Sequence, residues 1–441
     1  MPIPVWQALG QSLSGRIIAN MFEADIQTVL VVGAGFSNNA GLPLTNEFTD
    51  AILAARHFDS GPSRMIVDFL SEFIHDTFDI SRRAKGEDWP DLEDIFTCVD
   101  MSANSGHHLG GAFAPADLRT VRRALLSRIV RMLDQRYRNA RREKGAAWLT
   151  FDRFFSALDL ASTGFISMNW DTVVERKLAL SQGRLRVDYG CNAIPAHIPD
   201  PPDPDSFSSA RAYQKEISTH RSIIATAPEE QRRKLQGGVP VVKIHGSANW
   251  LYCDNCRQLF WVHPDQSECI ARQLIRPDDI SRIAAFLKIR GKDAGPTIAK
   301  LKLQPPVRCQ CSSDVVLGSR IATFSYRKAL DFPMFQKSWL AAEDLLRNAK
   351  KWVFIGYSLP AADYEFKYLL KRVQLSRGDL PEIMVVSGGP AKGVRLAYKH
   401  YRKFFGRGIT KKAFFGKGPT DDAARAIRNP PKEQPLGLVL P

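Results

Sequence analysis

The 441-residue chain lacks most of the features that mark a specialised class. No uninterrupted apolar run approaches the roughly 18 residues that a membrane-spanning helix needs, so no membrane span is expected. The opening stretch, MPIPVWQALGQSLSGR, lacks the basic-then-apolar order of a secretory leader. Cysteine is sparse, seven residues and an odd number, in a chain too long to need disulfide staples. These absences together predict a cytoplasmic protein with reduced thiols. No internal repeat or low-complexity tract is present. With 44% hydrophobic and 24% charged residues, the chain can bury a sizeable core, which excludes bulk disorder.

Acidic residues are also in short supply. Against 61 Lys and Arg stand 46 Asp and Glu, a formal net charge of +15. Such a field attracts polyanions without distinguishing nucleic acid from an anionic protein or cofactor. From Ala391 to Gly418 there are nine Lys or Arg and no acid, interleaved with Tyr398, Tyr401, Phe404, Phe405, Phe414 and Phe415. Aromatics among basic residues can stack bases or bind a partner. The plainer reading is an amphipathic helix with a solvated basic face. Residues 391–441 are therefore set apart as a basic C-terminal segment, and 1–390 as the main domain.

Four short apolar runs without polar alternation predict buried parallel strands: Thr28–Val32, Phe165–Met168, Val239–Ile244 and Trp352–Ile355, with Ile383–Val386 as a fifth. Leu118, Val121, Leu125, Ile129 and Leu133 form one apolar stripe on an Arg-rich helix, and a second helix is predicted over Phe335–Ala349. Alternating strands and helices predict an α/β fold with a doubly wound, Rossmann-like parallel sheet. Residues of about 50–160 read as a helical insertion or cap. The stretch 190–238, with Pro195, Pro199, Pro201, Pro202 and Pro204, reads as a long loop. Residues of about 250–312 hold five of the seven cysteines.

Polar clusters follow three of the strands. In TVLVVGAGFSNNAGLP, Gly33, Ala34 and Gly35 form a Gly-x-Gly turn that can bring backbone N–H groups close to a phosphate. The six-residue glycine fingerprint is incomplete, because position 38 is Asn38, and a bare Gly-x-Gly also serves purely steric needs. Asn169 and Asp171 end the second strand, where open α/β sheets bind ligands. Either can instead cap the helix that follows. His245 ends the third strand, ahead of Gly246, Ser247, Asn249 and Trp250, and suits a general base. Cys253-x-x-Cys256 and Cys309-x-Cys311, with 52 residues between them, can hold one structural Zn2+, with His263 or Cys269 as alternative ligands. Cys98 and Cys191 read as buried apolar residues.

In their order, GAGFS with GLP, NWD, HGS, the paired cysteines and GYSLP resemble the sirtuin superfamily. The resemblance runs from about Thr28 to Val386, with long unmatched insertions. DLEDIF (Asp91–Phe96), KIHGSANW and WLAAEDLLRNAKKWVFIGYSLPAADYEF are similar to the prokaryotic sirtuin-like branch, whose members often hydrolyse NAD in anti-phage defence. Protein deacylases of the superfamily carry a Phe-Arg loop and a Gln before Asn-x-Asp. Here GLPLTNEF lacks the Arg, and Met168 stands at the Gln position.

The resemblance implies a sirtuin-type sheet with a small zinc-ribbon-like module and NAD as substrate. It places Gly33, Ala34, Gly35 and Ser37 on the pyrophosphate, faced by Gly356 and Ser358. Asp171 falls on the nicotinamide carboxamide, Asn169 on the ribose or attacking water, and His245 acts as base. Asp363 falls on the adenosine side or holds its own loop. Alternative functions are a deacylase, a non-catalytic NAD or ADP-ribose sensor, and a nucleic-acid-associated subunit using 391–418. A host-damaging hydrolase also implies control, by assembly into a homo-oligomer or by a partner such as a motor ATPase or a nucleic-acid-bound sensor.

Overall fold

The computed structural model describes residues 22–427 apart from 23, 55–60, 85, 111–112, 183–185, 200–202, 204–205, 220–224, 227–237, 293–306, 313–314, 320, 322–332, 390, 407–408, 410–413, 416–423 and 425–426. Pro201, Pro202 and Pro204, and much of the basic stretch after Gly406, lie outside the described residues.

Seven strands form the main sheet: β1 (Thr28–Val32), β2 (Thr163–Ser167), β3 (Val187–Asp188), β6 (Val239–Lys243), β9 (Lys351–Ile355), β10 (Glu382–Val386) and β11 (Phe414–Phe415). Their order is β11-β10-β9-β1-β2-β6-β3, and all neighbouring pairs are parallel. Every residue of β2, β6 and β9 is buried, which explains why these strands lack polar alternation: both faces of the sheet are covered. The doubly wound expectation is met. From β1 the chain builds outward to β2 and β6, then returns to place β9 and β10 on the other side. The switch point therefore lies between β1 and β9, where open α/β sheets accept ligands beyond the carboxyl ends of their strands.

The helices, in chain order, begin with α1 (Ala34–Asn38), α2 (Phe48–Leu53), α3 (Gly61–Phe78), α4 (Leu92–Ser105), α5 (Pro115–Glu143) and α6 (Ala146–Ala157). The 50–160 region is helical, as predicted. In α5 the stripe residues Leu118, Val121, Leu125, Ile129 and Leu133 are all buried. Pro115 opens that helix, and the Asp117 carboxylate accepts from the Ala114 N–H at 3.1 Å. Helix α7 (Val173–Gln182) follows β2, and α8 (Ala210–Thr219), α9 (Ser267–Leu274) and α10 (Pro277–Ile289) come later. The Asp279 carboxylate fastens α10 to α5, accepting from Thr120 at 2.7 Å and from Arg123 Nε at 2.8 Å. Helix α11 (Pro333–Asn348) matches the predicted Phe335–Ala349, and α12 (Tyr364–Ser376) and α13 (Ala391–Phe405) follow it among the described residues.

A second sheet, ordered β5-β4-β8-β7, joins β4 (Ile194–His197), β5 (Ala225–Thr226), β7 (Trp250–Tyr252) and β8 (Leu259–Val262). This corrects the reading of 190–238 as a loop, since β4, α8 and β5 all fall inside it. Pro195 lies in β4 opposite Trp261, and β5 pairs with Ala196 and His197. Among the described residues, no helix is long and apolar enough to cross a membrane.

Candidate functional site

A cleft of about 230 Å³ opens at the carboxyl ends of β1, β2, β6 and β9, at the switch point. Gly33, Ala34, Ser37, Asn169, Asp171, His245, Gly356, Ser358 and Asp363, separated by more than 300 positions in the chain, all line it. Gly35 does not.

The two glycine turns are locked together. The Gly33 N–H donates to the Ile355 carbonyl at 3.1 Å, and the Gly35 N–H donates to the Gly356 carbonyl at 2.9 Å. A Cβ on Gly35 would lie 2.9 Å from Gly356 Cα, and one on Gly33 would lie 2.7 Å from the Gly356 carbonyl oxygen. Gly35 therefore packs against Gly356 and is not among the residues that line the cleft. Its N–H is already engaged by protein. The steric reading of Gly-x-Gly accounts for this residue, while Gly33 and Ala34 remain on the cleft wall.

The second strand end reaches the first turn directly. Asn169 Nδ2 donates to Ser37 Oγ at 3.0 Å, and the Asn169 N–H is fixed by Ser167 Oγ at 3.2 Å. Asp171 both closes the start of α7 and lines the cleft. One carboxylate oxygen accepts from the Val173 N–H at 2.9 Å, capping α7, while the residue also forms part of the cleft. Its carbonyl accepts from Lys243 Nζ at 2.5 Å.

Lys243 belongs to a buried polar network that sequence reasoning missed. Lys243 and Glu175 are both wholly buried, and their charged atoms lie 3.5 Å apart. Tyr189 donates to Glu175 at 3.3 Å, and Asn249 Nδ2 donates to the Tyr189 oxygen at 3.2 Å and to the Val262 carbonyl at 2.9 Å. Burial pushes the Glu175 carboxyl above its usual range, with Lys243 opposing, and pushes the Tyr189 phenol well up. The run from His245 to Trp250 is thus anchored beneath the cleft and tied to the second sheet.

His245 is 8% exposed. Its Nδ1 lies 3.1 Å from the Met168 carbonyl, which can only accept, so Nδ1 carries the hydrogen. In the neutral ring Nε2 then presents its lone pair, the arrangement a general base requires. Asp363 Oδ1 lies 3.8 Å from Nε2. The helical insertion supplies one wall of the cleft through Phe48, Glu93 and Leu133. Glu93 was not anticipated as a cleft residue, because an acid in a helix's first turn reads as a response to the helix dipole. Tyr357 was missed for a similar reason, its place in GYSLP suggesting only a turn.

The four cysteines meet. Their sulfurs all lie within 4.8 Å of one another, with Cys253–Cys311 at 3.6 Å and Cys256–Cys309 at 3.7 Å. Those separations are far too long for disulfides. They match the edge of a tetrahedron with Zn–S bonds of about 2.3 Å, which is about 3.8 Å. Cys253 and Cys256 flank the turn between β7 and β8. Reciprocal bonds between Tyr252 and Gly318, at 2.8 and 3.0 Å, hold that turn against the one bearing Cys309 and Cys311. The Asn255 side chain donates to Cys311 and draws its thiol down to about 7, while burial pushes the Cys253 and Cys309 thiols up. His263 and Cys269 lie outside the cluster. Cys191 is buried, its thiol pushed up to about 12 by burial, and Cys98 is half-buried.

In the basic segment, α13 turns Val394, Ala397, Tyr401 and Phe405 into the core at helical spacing and leaves Lys392, Arg395, Lys399, Arg402 and Lys403 exposed. The amphipathic reading accounts for this helix, with Tyr401 and Phe405 committed to packing rather than available to stack on bases. The chain matches no protein-family model and no curated protein.

Proposed function

We propose that the cleft binds NAD and cleaves its nicotinamide–ribose bond to give nicotinamide and ADP-ribose. The observation that carries this reading is the meeting of Ser37, Asn169, Asp171 and His245 at the switch point of a Rossmann-like sheet. Sequence motifs suggested these residues separately. Gly33, Ala34, Ser37, Gly356 and Ser358 form the end of the cleft assigned to the pyrophosphate, and Asn169 and Asp171 the end assigned to the ribose and nicotinamide. The leaving group departs with the C–N electron pair. The cation-like sugar is captured by water, whose proton passes to His245 Nε2. Departure of a neutral group needs positioning and nearby negative charge more than a strong nucleophile, and Asp171, Asp363 and Glu93 supply carboxylates around the cleft. Activity in phage defence by draining NAD, with low turnover until assembly or an infection signal, is the biological form of this reading.

The test is nicotinamide release from NAD by wild type and His245→Ala, at several protein concentrations and with nucleic acid added. Release by wild type should fall at least about 100-fold in the variant, the usual contribution of a general base. Tight NAD binding with no release under any condition would favour a sensor instead.

The cysteine cluster is proposed to hold structural zinc, since its four sulfurs leave no open position for chemistry. Elemental analysis should find one zinc per chain. A strong chelator should remove it and lower the unfolding temperature by several degrees, whereas Cys98→Ala should leave both zinc content and the chelator's effect unchanged.

A further inference from the structure

Asp363 occupies the N-cap position of α12, where an aspartate ordinarily accepts from the helix's first N–H groups. Here the side chain makes no capping bond. The carboxylate is instead 7% exposed, accepts from the Tyr357 hydroxyl at 2.8 Å through Oδ2, and directs Oδ1 to within 3.8 Å of His245 Nε2. Asp171, the other cleft aspartate beside a helix start, does cap its helix. The two residues therefore differ in what their carboxylates are used for.

The turn carrying Asp363 is held in an unfavourable conformation. Leu359 is buried with φ of +53°, in a region that branched side chains seldom adopt, and Gly356 has φ of +59°. Tyr401 on α13 donates to the Tyr357 carbonyl at 2.7 Å, fixing the residue whose hydroxyl holds Asp363. Three elements thus position one carboxylate opposite Nε2 of His245.

We propose that Asp363 is the charge partner of His245, a positioning residue that stabilises the imidazolium formed when Nε2 takes a proton, rather than a contact to the adenosine half of NAD. The Met168 carbonyl fixes the ring from the Nδ1 side, so the arriving proton can go only to Nε2, facing the carboxylate. An opposite charge at this range favours the charged imidazolium, which makes neutral His245 a stronger base. The other charged groups around the pair are Asp171 and Glu93 on the cleft wall and Lys367 one turn along α12, whose ammonium is drawn down by burial and opposed by Asp363. The geometry stands without any assumption about substrate. Only the role of the proton rests on the NAD-cleavage reading.

The experiment is an NMR titration of histidine ring signals in the full chain without NAD, with His245 assigned by its loss in His245→Ala. Wild type is compared with Asp363→Asn, and both with the exposed His107 and His108 as internal references. In Asp363→Asn the His245 midpoint should fall by about one pH unit or more. The acid limb of nicotinamide release should move down with it, and the maximal rate should drop about tenfold. An unchanged midpoint in Asp363→Asn would overturn the proposal whatever the NAD assay shows. Should that variant fail to fold, Asp363→Ala is read in its place, and an unchanged His245 midpoint there would overturn the proposal equally. A lowered midpoint in a protein that never releases nicotinamide would support the pair and count against the NAD reading alone.

Discussion

Gly356→Ala should destabilise the protein by about 3–5 kcal/mol and abolish ligand binding at the cleft, an effect larger than almost any other single methyl could produce. Two costs combine. The residue has φ of +59°, where an alanine is penalised by about 1–2 kcal/mol. The added Cβ would also lie 2.1 Å from the Phe36 nitrogen and 2.3 Å from the Gly35 carbonyl carbon. Both are backbone atoms, so relief requires moving the first glycine turn away from the second, and that contact forms one wall of the cleft, the one proposed to face the pyrophosphate. Gly106→Ala separates the two costs, because Gly106 has φ of +73° with nothing within 4 Å of its would-be Cβ. Denaturation midpoints should show a loss of about 1–2 kcal/mol for Gly106→Ala, with the cleft intact. Equal losses for the two variants would mean that the turns are not interlocked.

The contrast between these glycines shows what the sequence could and could not reveal. The five predicted strands were legible to within two residues because burial on both faces leaves an unbroken apolar run, a local signal, whereas the short strands β3 and β11 and the second sheet were not. The stripe on α5 was legible for the same kind of reason. Strand order was not, since it depends on which edge each returning strand joins. Gly33, Gly35 and Gly356 were visible as turn residues, but nothing local shows that the Gly35 N–H is consumed by Gly356, across more than 300 positions. Pro195 misled because a run of prolines reads as loop, whereas this one sits inside β4, opposite Trp261 of β8. Glu93 and Glu175 were passed over because acids in the first turns of helices usually face water. Only tertiary packing turns one toward a cleft and buries the other beneath Lys243.

That buried pair leads to the second large effect. Lys243→Met should cost about 3–5 kcal/mol, because it leaves Glu175 buried without its cation. Glu175→Gln should cost a comparable amount by stranding the ammonium. The double variant removes both charges, and a buried ion pair replaced as a unit is often close to neutral in stability, so most of the loss should return. Denaturation of wild type, both singles and the double would measure the coupling directly, and simple addition of the two single losses would show that the residues do not act as a pair. The cleft should not recover in step. Lys243 also donates to the Asp171 carbonyl, and methionine cannot replace that bond in either background. A double variant with near-wild-type stability and persistently weak nicotinamide release would separate the two roles of Lys243, as the partner of Glu175 in the core and as the support that holds Asp171 at the cleft. Full recovery of both would mean that the bond from the Val173 N–H to the Asp171 carboxylate alone suffices to hold Asp171 in place.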